Sequence, residues 1–125
     1  MKNALNAIVI DDDAINLEII TRALNKKNIV TRSFNNATDA YSCVNENHST
    51  IDIIITDKMM TPMDGIELTS ILKSNDNTSH IPVLIQSGDT RPVAIKEAYN
   101  MGVKYYLTKP FNSNELLDGV EHALK

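Results

Sequence analysis

Residues 8–13 read Ile-Val-Ile-Asp-Asp-Asp, a short apolar run that ends in three acidic residues. Similar runs lie at residues 53–57 (Ile-Ile-Ile-Thr-Asp), 83–87 (Val-Leu-Ile-Gln-Ser) and 105–109 (Tyr-Tyr-Leu-Thr-Lys). Each is short and rich in β-branched or aromatic residues, which predicts a buried β-strand. Parallel strands deliver their carboxyl ends to one edge of a sheet, so the polar residues that end these runs should share one crevice. They are Asp11, Asp12, Asp57, Ser87 and Lys109.

The segments between these runs carry the spacing of amphipathic helices. The first predicted helix ends near residues 25–27, and its stripe consists of Ile15, Ile19, Ala23 and Leu24. Residues 29–34 form a further predicted strand, and a capping box of Asn112 and Glu115 begins the last helix. Repeated β–α units of this kind predict an α/β fold, in which helices cover both faces of a parallel sheet. The pattern alone leaves the strand order open.

Composition places limits on the function. The chain has 125 residues, and we expect residues 1–125 to form one domain. A net charge of -4 argues against direct nucleic-acid binding, which needs a concentrated basic face. The single Cys43 excludes an internal disulfide and suits a reducing compartment. Neither a signal peptide nor an apolar stretch of membrane-spanning length is visible, so we expect a cytoplasmic protein without membrane contact.

The acidic crevice has a definite chemistry. Two carboxylates 4 Å apart repel one another by roughly 4 kcal/mol at an effective dielectric constant near 20. A fold tolerates this when a cation lies among the acids or when one acid stays protonated. Oxygen donors without His or Cys suit a hard divalent ion such as Mg²⁺. Asp57 can then be a nucleophile in phosphoryl transfer, with Lys109 paired to its oxygens and Ser87 as a hydrogen-bond donor. Asp13 is better explained as the N-cap of the first helix.

These motifs and the distances between them in sequence resemble the receiver domain of bacterial response regulators, over essentially the whole chain. The matching segments are Asp11-Asp12, Asp57, Met63-Asp64-Gly65, Ser87-Gly88 and Lys109-Pro110-Phe111. The resemblance implies a flavodoxin-like (βα)5 fold, a three-layer sandwich with the strand order 2-1-3-4-5.

The resemblance also implies a function. Asp57 would accept a phosphoryl group from a phosphohistidine of a histidine kinase or a histidine phosphotransfer protein. The protein would be a signalling switch and not an enzyme, apart from catalysing its own phosphorylation and dephosphorylation. Mg²⁺ would be the cofactor. Its ligands would be Asp12 directly, Asp11 through water, a carboxylate oxygen of Asp57 and the backbone carbonyl of Met59.

The same resemblance implies how the signal is transmitted. Ser87 would bind a phosphoryl oxygen and move toward it, and Tyr106 would be the aromatic switch that fills the space left behind. The surface of helix four, strand five and helix five would then control a partner or a fused output region. The Lys109–Pro110 bond is implied to be cis. No output region follows in these residues, so we expect action through protein contact or membership of a longer polypeptide.

A few positions depart from the family pattern. The family usually has Pro four residues after the acceptor, whereas this chain has Thr61 there and Pro62 next. Lys58, directly after the acceptor, is unusual, and we expect it to be a solvated side chain. Met59 and Asp89 occupy positions that tune the lifetime of the acyl phosphate in the family.

Two other functions compete with the phosphorylated switch. A phosphatase of the haloacid dehalogenase type also has the motif D-x-D after its first strand, as in Asp11 and Asp13. That family expects Thr where this chain has Ile15, and it would leave Asp57 and Lys109 unexplained. A module that keeps the fold but is never phosphorylated is the stronger alternative. Retention of Asp57 and Lys109 argues against it.

Overall fold

The computed structural model describes residues 4–125, in which five strands alternate with five helices. The strands are β1 (Leu5–Ile10), β2 (Ile29–Phe34), β3 (Ile53–Asp57), β4 (Val83–Ser87) and β5 (Tyr105–Thr108). The helices are α1 (Ala14–Asn25), α2 (Ala37–Asn47), α3 (Gly65–Lys73), α4 (Pro92–Asn100) and α5 (Ser113–Leu124). The predicted strands are therefore all present.

The strands form one parallel sheet in the order β2-β1-β3-β4-β5. This confirms the flavodoxin-like fold and the strand order that the family resemblance implies. The chain passes from β1 to β2 on one side and later returns to place β3 on the other side of β1. The sheet thus has its topological switch point between β1 and β3, where α/β proteins open a crevice at the carboxyl ends of the strands.

Alternate side chains of the strands enter two separate cores. One core lies under α2, α3 and α4 and contains Ile8, Ile10, Ile54 and Ile85. The other lies under α1 and α5 and contains Val9, Ile53, Ile55 and Leu84. A fully buried side chain of this size contributes about 1.5–3 kcal/mol to folding. The central strands are therefore anchored on both faces, and their carboxyl ends are held in fixed positions.

The apolar stripe predicted for α1 is partly wrong. Ala23 and Leu24 are buried as predicted, but Ile15 and Ile19 are 73% and 53% exposed, and Ile20 is buried instead. Residues four apart on an α-helix advance by about 40° more than a full turn. The row of residues 15, 19 and 23 consequently drifts around the helix, and only its last member reaches the core.

The ends of the helices are determined by local hydrogen bonds. Asn112 and Glu115 form the predicted capping box at the start of α5. A second capping box, of Asp64 and Glu67, begins α3 and was not predicted. Gly102 has a φ of 106° after α4, a conformation in which glycine avoids a steric penalty. Within residues 4–125, the helices are too short or too polar to serve as membrane spans.

Candidate functional site

The carboxyl ends of β1 and β3 bring three aspartates together. Asp11 and Asp12 follow β1, and Asp57 is the last residue of β3. One carboxylate oxygen of each residue lies within 4.8 Å of those of the other two. Asp11 and Asp57 are buried, whereas Asp12 is exposed. The predicted acidic cluster is therefore present, and Asp12 is its solvent-facing member.

Asp57 is paired with Lys109, as the strand-end argument predicted. The Lys109 Nζ donates a hydrogen bond to Asp57 Oδ1 at 3.0 Å. Burial raises the pKa of the Asp57 carboxyl above its ordinary value, although the hydrogen bond from Lys109 acts in the opposite direction. The charges of Asp11 and Asp12 raise this pKa further. Lys109 thus offsets only part of the cost of a charged Asp57, and a bound cation would offset more.

In the described residues, the Asp11 carboxylate accepts hydrogen bonds from three N–H donors, and the two side-chain donors were not predicted. The Asp13 backbone N–H donates to Asp11 Oδ1 at 2.9 Å. The side-chain amides of Asn16 and Gln86 both donate to Oδ2. One sequence signal indicated that Gln86 needs a partner: it follows three apolar residues in its strand, and a buried polar group needs a hydrogen-bond partner.

The neighbours Asp12 and Asp13 have different roles. Asp13 Oδ1 accepts the backbone N–H groups of Ile15 at 2.9 Å and Asn16 at 3.3 Å, which confirms Asp13 as the N-cap of α1. Its carboxylate is therefore engaged at the helix, and the D-x-D motif of a phosphatase lacks its second acid. The Asp12 carboxylate makes no hydrogen bond or ion pair with the residues that the structure describes, so it is free to bind a ligand.

The loop between β3 and α3 holds the backbone next to Asp57. The Lys58 N–H donates to the Gln86 carbonyl at 3.0 Å, and the Gly65 N–H donates to the Lys58 carbonyl at 2.9 Å. A Cβ atom at Gly65 would lie 2.5 Å from the Asp57 carbonyl oxygen, so no other residue fits there without a shift. Met59 lies in this loop with a side chain that is 69% exposed.

Two X–Pro bonds beside the site are cis. Lys109–Pro110 is cis, as the family resemblance implies. Thr61–Pro62 is also cis, and it lies where the chain departs from the family pattern. The loop between β3 and α3 therefore keeps a proline, one residue later than usual, and still reaches Gly65 at the expected distance in sequence.

Lys58 is not the solvated side chain that we expected. Its side chain is only 14% exposed, and its Nζ lies 3.2 Å from Asp89 Oδ2. The Arg91 guanidinium and backbone N–H, followed by Lys58, hold the pKa of the Asp89 carboxyl well below its usual range. The partner of Lys58 lies 31 residues further along the chain, on the loop between β4 and α4. Sequence neighbours of Lys58 gave no sign of this ion pair.

Ser87 ends β4 and is buried. Its Oγ accepts the backbone N–H of Asp89 at 3.0 Å, and its carbonyl accepts the backbone N–H of Lys109 at 2.8 Å. A hydroxyl group also carries one proton that it can donate. In the described part of the chain this proton has no acceptor, so the Ser87 hydroxyl is free to donate a hydrogen bond to a ligand.

Tyr106 already lies inside the protein. It is 7% exposed, its hydroxyl donates to the Asp89 carbonyl at 2.7 Å, and its backbone N–H donates to Tyr99 Oη at 3.0 Å. Tyr105 lies on the opposite face of the sheet, where its ring stacks on His122 with 5.6 Å between centroids. The Tyr106 ring is thus already buried in the unmodified protein, and its role as the aromatic switch stays a prediction.

Comparisons with known proteins agree with this geometry. Residues 7–121 match the sequence model of the response regulator receiver domain. The chain is 32% identical to the DNA-binding transcriptional regulator NtrC of Proteus hauseri, over 95% of this chain and 24% of NtrC. It is also 32% identical to the heme response regulator HssR of Staphylococcus epidermidis, over 97% of this chain and 52% of HssR. The chain thus spans about half of HssR and about a quarter of NtrC.

A solved structure gives the same result. The response regulator receiver domain protein of Clostridium thermocellum has a TM-score of 0.88 against this chain at 26% identity. The similarity covers 96% of this chain and 94% of that protein. The residues that match the sequence model include the strand ends that carry Asp11, Asp57, Ser87 and Lys109. The chain belongs to the family of response regulator receiver domains.

Proposed function

We propose that the chain is a phosphoacceptor switch of a two-component or phosphorelay system and that Asp57 is the residue phosphorylated. One observation carries this proposal: Asp57 lies beside Asp11 and Asp12 at the sheet edge and accepts a hydrogen bond from Lys109. Receiver domains of response regulators receive phosphoryl groups from kinases and bind Mg²⁺ at an acidic site. The arrangement in this chain supplies the residues for both.

The donor atoms of the cluster fit Mg²⁺. All three side chains offer oxygen, their oxygens lie within 4.8 Å of one another, and Asp12 has no competing partner in the described chain. Mg²⁺ typically takes one or two carboxylates together with waters and phosphate oxygens. We assign Asp12, Asp57 and the Met59 backbone carbonyl as direct ligands and Asp11 as a ligand through water. When bound, Mg²⁺ would reduce the repulsion between Asp57 and an incoming phosphoryl group.

The residues of the chain account for the transfer step. A carboxylate oxygen of Asp57 forms a new O–P bond while the N–P bond of the donor phosphohistidine breaks and the imidazole leaves with the electron pair. Lys109 stabilises negative charge on the phosphoryl oxygens, and the Ser87 hydroxyl donates a hydrogen bond to one of them. The product is the modified protein itself, so we assign no separate substrate and no enzyme activity beyond self-phosphorylation and dephosphorylation.

The partners follow from this chemistry. The phosphoryl donor is a histidine kinase or a histidine phosphotransfer protein, and the output is a partner protein or a further domain. The output is controlled through the surface of α4, β5 and α5, next to Tyr106. A net charge of -4 disfavours direct contact with nucleic acid. We place the protein in the cytoplasm, where its single cysteine would stay reduced.

Labelling with acetyl phosphate tests the proposed function. With Mg²⁺ present, the protein should gain one phosphoryl group, which peptide mass mapping should locate at Asp57, and excess EDTA should prevent the gain. Asp12→Ala should raise the Mg²⁺ concentration for half-maximal labelling about tenfold or more. Asp13→Ala is the matched control and should change it less than about twofold, because Asp13 caps α1 instead. Labelling that persists in EDTA contradicts the proposal, and a complete lack of labelling favours the unphosphorylated module.

Ser87→Ala should leave labelling possible but uncouple it from the surface near Tyr106. Alanine has no hydroxyl group to donate a hydrogen bond to the phosphoryl oxygen. It also lacks the oxygen that accepts the hydrogen bond from the Asp89 N–H. Backbone NMR shifts at residues 103–107, with and without beryllofluoride, should therefore change less in the variant than in the wild type. Ser74→Ala, at an exposed position, is the control. Equal shifts in the wild type and Ser87→Ala would show that the coupling does not pass through Ser87.

A further inference from the structure

Gln86 is a fully buried amide in a central strand. It is 0% exposed, and the residues before it in β4, at positions 83–85, are apolar and buried. Burying an amide is unfavourable unless its donor and acceptor are both hydrogen-bonded. Gln86 Nε2 donates to Asp11 Oδ2 at 2.8 Å, and Gln86 Oε1 accepts a hydrogen bond from Asn16 Nδ2 at 2.9 Å. Both polar atoms of the Gln86 side chain are thus hydrogen-bonded at the acidic cluster, to Asp11 and to Asn16 beside it.

The contact between Gln86 and Asp11 spans two strand spacings. Gln86 lies on β4 in register with Asp57 on β3, and Asp11 follows β1 on the far side of β3. Neighbouring strands are about 4.8 Å apart, so the backbones of Gln86 and Asp11 are separated by about 10 Å. Only a long side chain with a terminal donor bridges this distance. Glutamine meets both requirements, whereas asparagine is one methylene shorter.

The amides of Asn16 and Gln86 form a closed ring with Asp11. Asn16 Nδ2 donates to both Asp11 Oδ2 and Gln86 Oε1, and Gln86 Nε2 returns to Asp11 Oδ2. Each carboxylate oxygen has two lone pairs, so the ring uses both of those on Oδ2. Among residues 4–125, Oδ1 accepts only the Asp13 N–H, which leaves it one lone pair. The carboxylate therefore has one defined orientation with one free acceptor site.

We propose that Gln86, held by Asn16, is a positioning residue that fixes Asp11 for Mg²⁺ binding. This inference rests on the proposed function, because it concerns the same Mg²⁺ site. Gln86 reaches neither the ion nor the phosphoryl group; it acts through Asp11. Without the ring, the hydrogen bond from the Asp13 N–H remains, but the Asp11 carboxylate can rotate around it, so its free lone pair no longer points in one direction. Changing a residue that orients a metal ligand typically costs about 10–100-fold in metal affinity.

Mg²⁺ titration without a phosphodonor, followed by NMR, tests this inference. Gln86→Met keeps the length and volume of the side chain but removes its amide. Gln86→Asn keeps the amide on a side chain that is one methylene too short to reach Asp11. Both variants should raise the Kd for Mg²⁺ about tenfold. Thr78→Val is the matched control, because it removes a buried hydrogen bond, from Thr78 Oγ1 to the Leu72 carbonyl at 2.7 Å. Thr78 precedes β4, at the amino-terminal edge of the sheet, whereas the cluster lies at the carboxyl edge. Thr78→Val should destabilise the protein but leave the Kd unchanged.

The wild type provides a second test that needs no variant. During the Mg²⁺ titration, the side-chain NH₂ resonances of Gln86 should shift with the same midpoint as the backbone N–H resonance of Asp12. Absence of that shift, or a Kd in folded Gln86→Met that equals or falls below the wild-type value, overturns the positioning role. If Gln86 had only a structural role, Gln86→Met would lower the urea midpoint in EDTA and leave the Kd for Mg²⁺ unchanged. Wild-type protein that binds no Mg²⁺ and takes no label overturns the proposed function as well.

Discussion

Replacing Asp57 by asparagine should abolish phosphoryl incorporation and should also make the metal-free protein more stable. The amide is a far weaker nucleophile than the carboxylate, so no acyl phosphate forms. The same change removes one negative charge from a cluster in which three carboxylates lie within 4.8 Å of one another. The asparagine oxygen still accepts a hydrogen bond from Lys109. We therefore expect complete loss of labelling together with a rise in Tm of about 3–5 °C in EDTA.

The gain in stability should depend on pH in a defined direction. Burial raises the pKa of Asp57 above its ordinary value of 3.8 in the folded protein. The folded state therefore holds the Asp57 proton more tightly than the unfolded state does. This contribution to stability is fully present below pH 3.8 and is lost as the pH rises through the raised pKa. The advantage of Asp57→Asn over the wild type should thus be smallest below pH 3.8 and largest at neutral pH.

Urea unfolding in EDTA, measured from pH 3.5 to 7.5, tests this pH dependence. Asp76→Asn provides the control, because Asp76 is exposed in the loop after α3 and lies outside the cluster. Added Mg²⁺ should stabilise the wild type more than Asp57→Asn, since binding to the folded state adds RT ln(1 + [Mg²⁺]/Kd). An unstable Asp57→Asn, or an advantage that grows as the pH falls, would show that repulsion does not dominate at Asp57.

The sequence predicted the fold and the central residues of the site because both depend on local patterns. A run of β-branched residues specifies a strand, and the residue that ends the run is delivered to the carboxyl edge of the sheet. Asp57 and Lys109 could therefore be placed together without knowledge of the strand order. The capping box of Asn112 and Glu115 is equally local, because its two residues are three positions apart.

The features that the sequence did not predict depend on which side chains meet across separate elements. Gln86 finds Asp11 only because β3 lies between β4 and β1, and the pattern alone left that order open. Lys58 was expected to be solvated because its partner, Asp89, belongs to another loop. The family resemblance could not predict these contacts either. Gln86 lies outside the family's motifs, and Lys58 departs from the family pattern.

Lys58→Met should release the loop between β4 and α4 from its position over Tyr106. The Lys58 side chain is 14% exposed and joins the loop after β3 to the Asp89 carboxylate on the loop after β4. The backbone carbonyl of Asp89 in turn accepts a hydrogen bond from the Tyr106 hydroxyl, and the backbone N–H of Asp89 donates one to Ser87 Oγ. Methionine preserves the apolar length of lysine and removes only the charged end, so the expected change comes from loss of the ion pair.

Arg91→Met is the matched control for the same carboxylate. Arg91 also pairs with Asp89, at 2.8 Å, but its side chain is 72% exposed and it lies on the same loop, two residues away. An ion pair within one loop does not tie that loop to the rest of the protein, and solvent screens an exposed pair. Amide hydrogen exchange at residues 88–91 should therefore accelerate about tenfold in Lys58→Met but less than about twofold in Arg91→Met.

The two variants also separate two explanations for the inward Tyr106. If the ion pair of Lys58 keeps Tyr106 inside before phosphorylation, Lys58→Met should increase the exposure of the Tyr106 ring in the unmodified protein. Bound beryllofluoride should then restore the inward position, because Ser87 and Lys109 gain a new acceptor that draws the same loop toward the site. Exchange rates and ring exposure equal to those of the wild type would mean that packing around Tyr106, and not the charge of Lys58, holds the loop in place.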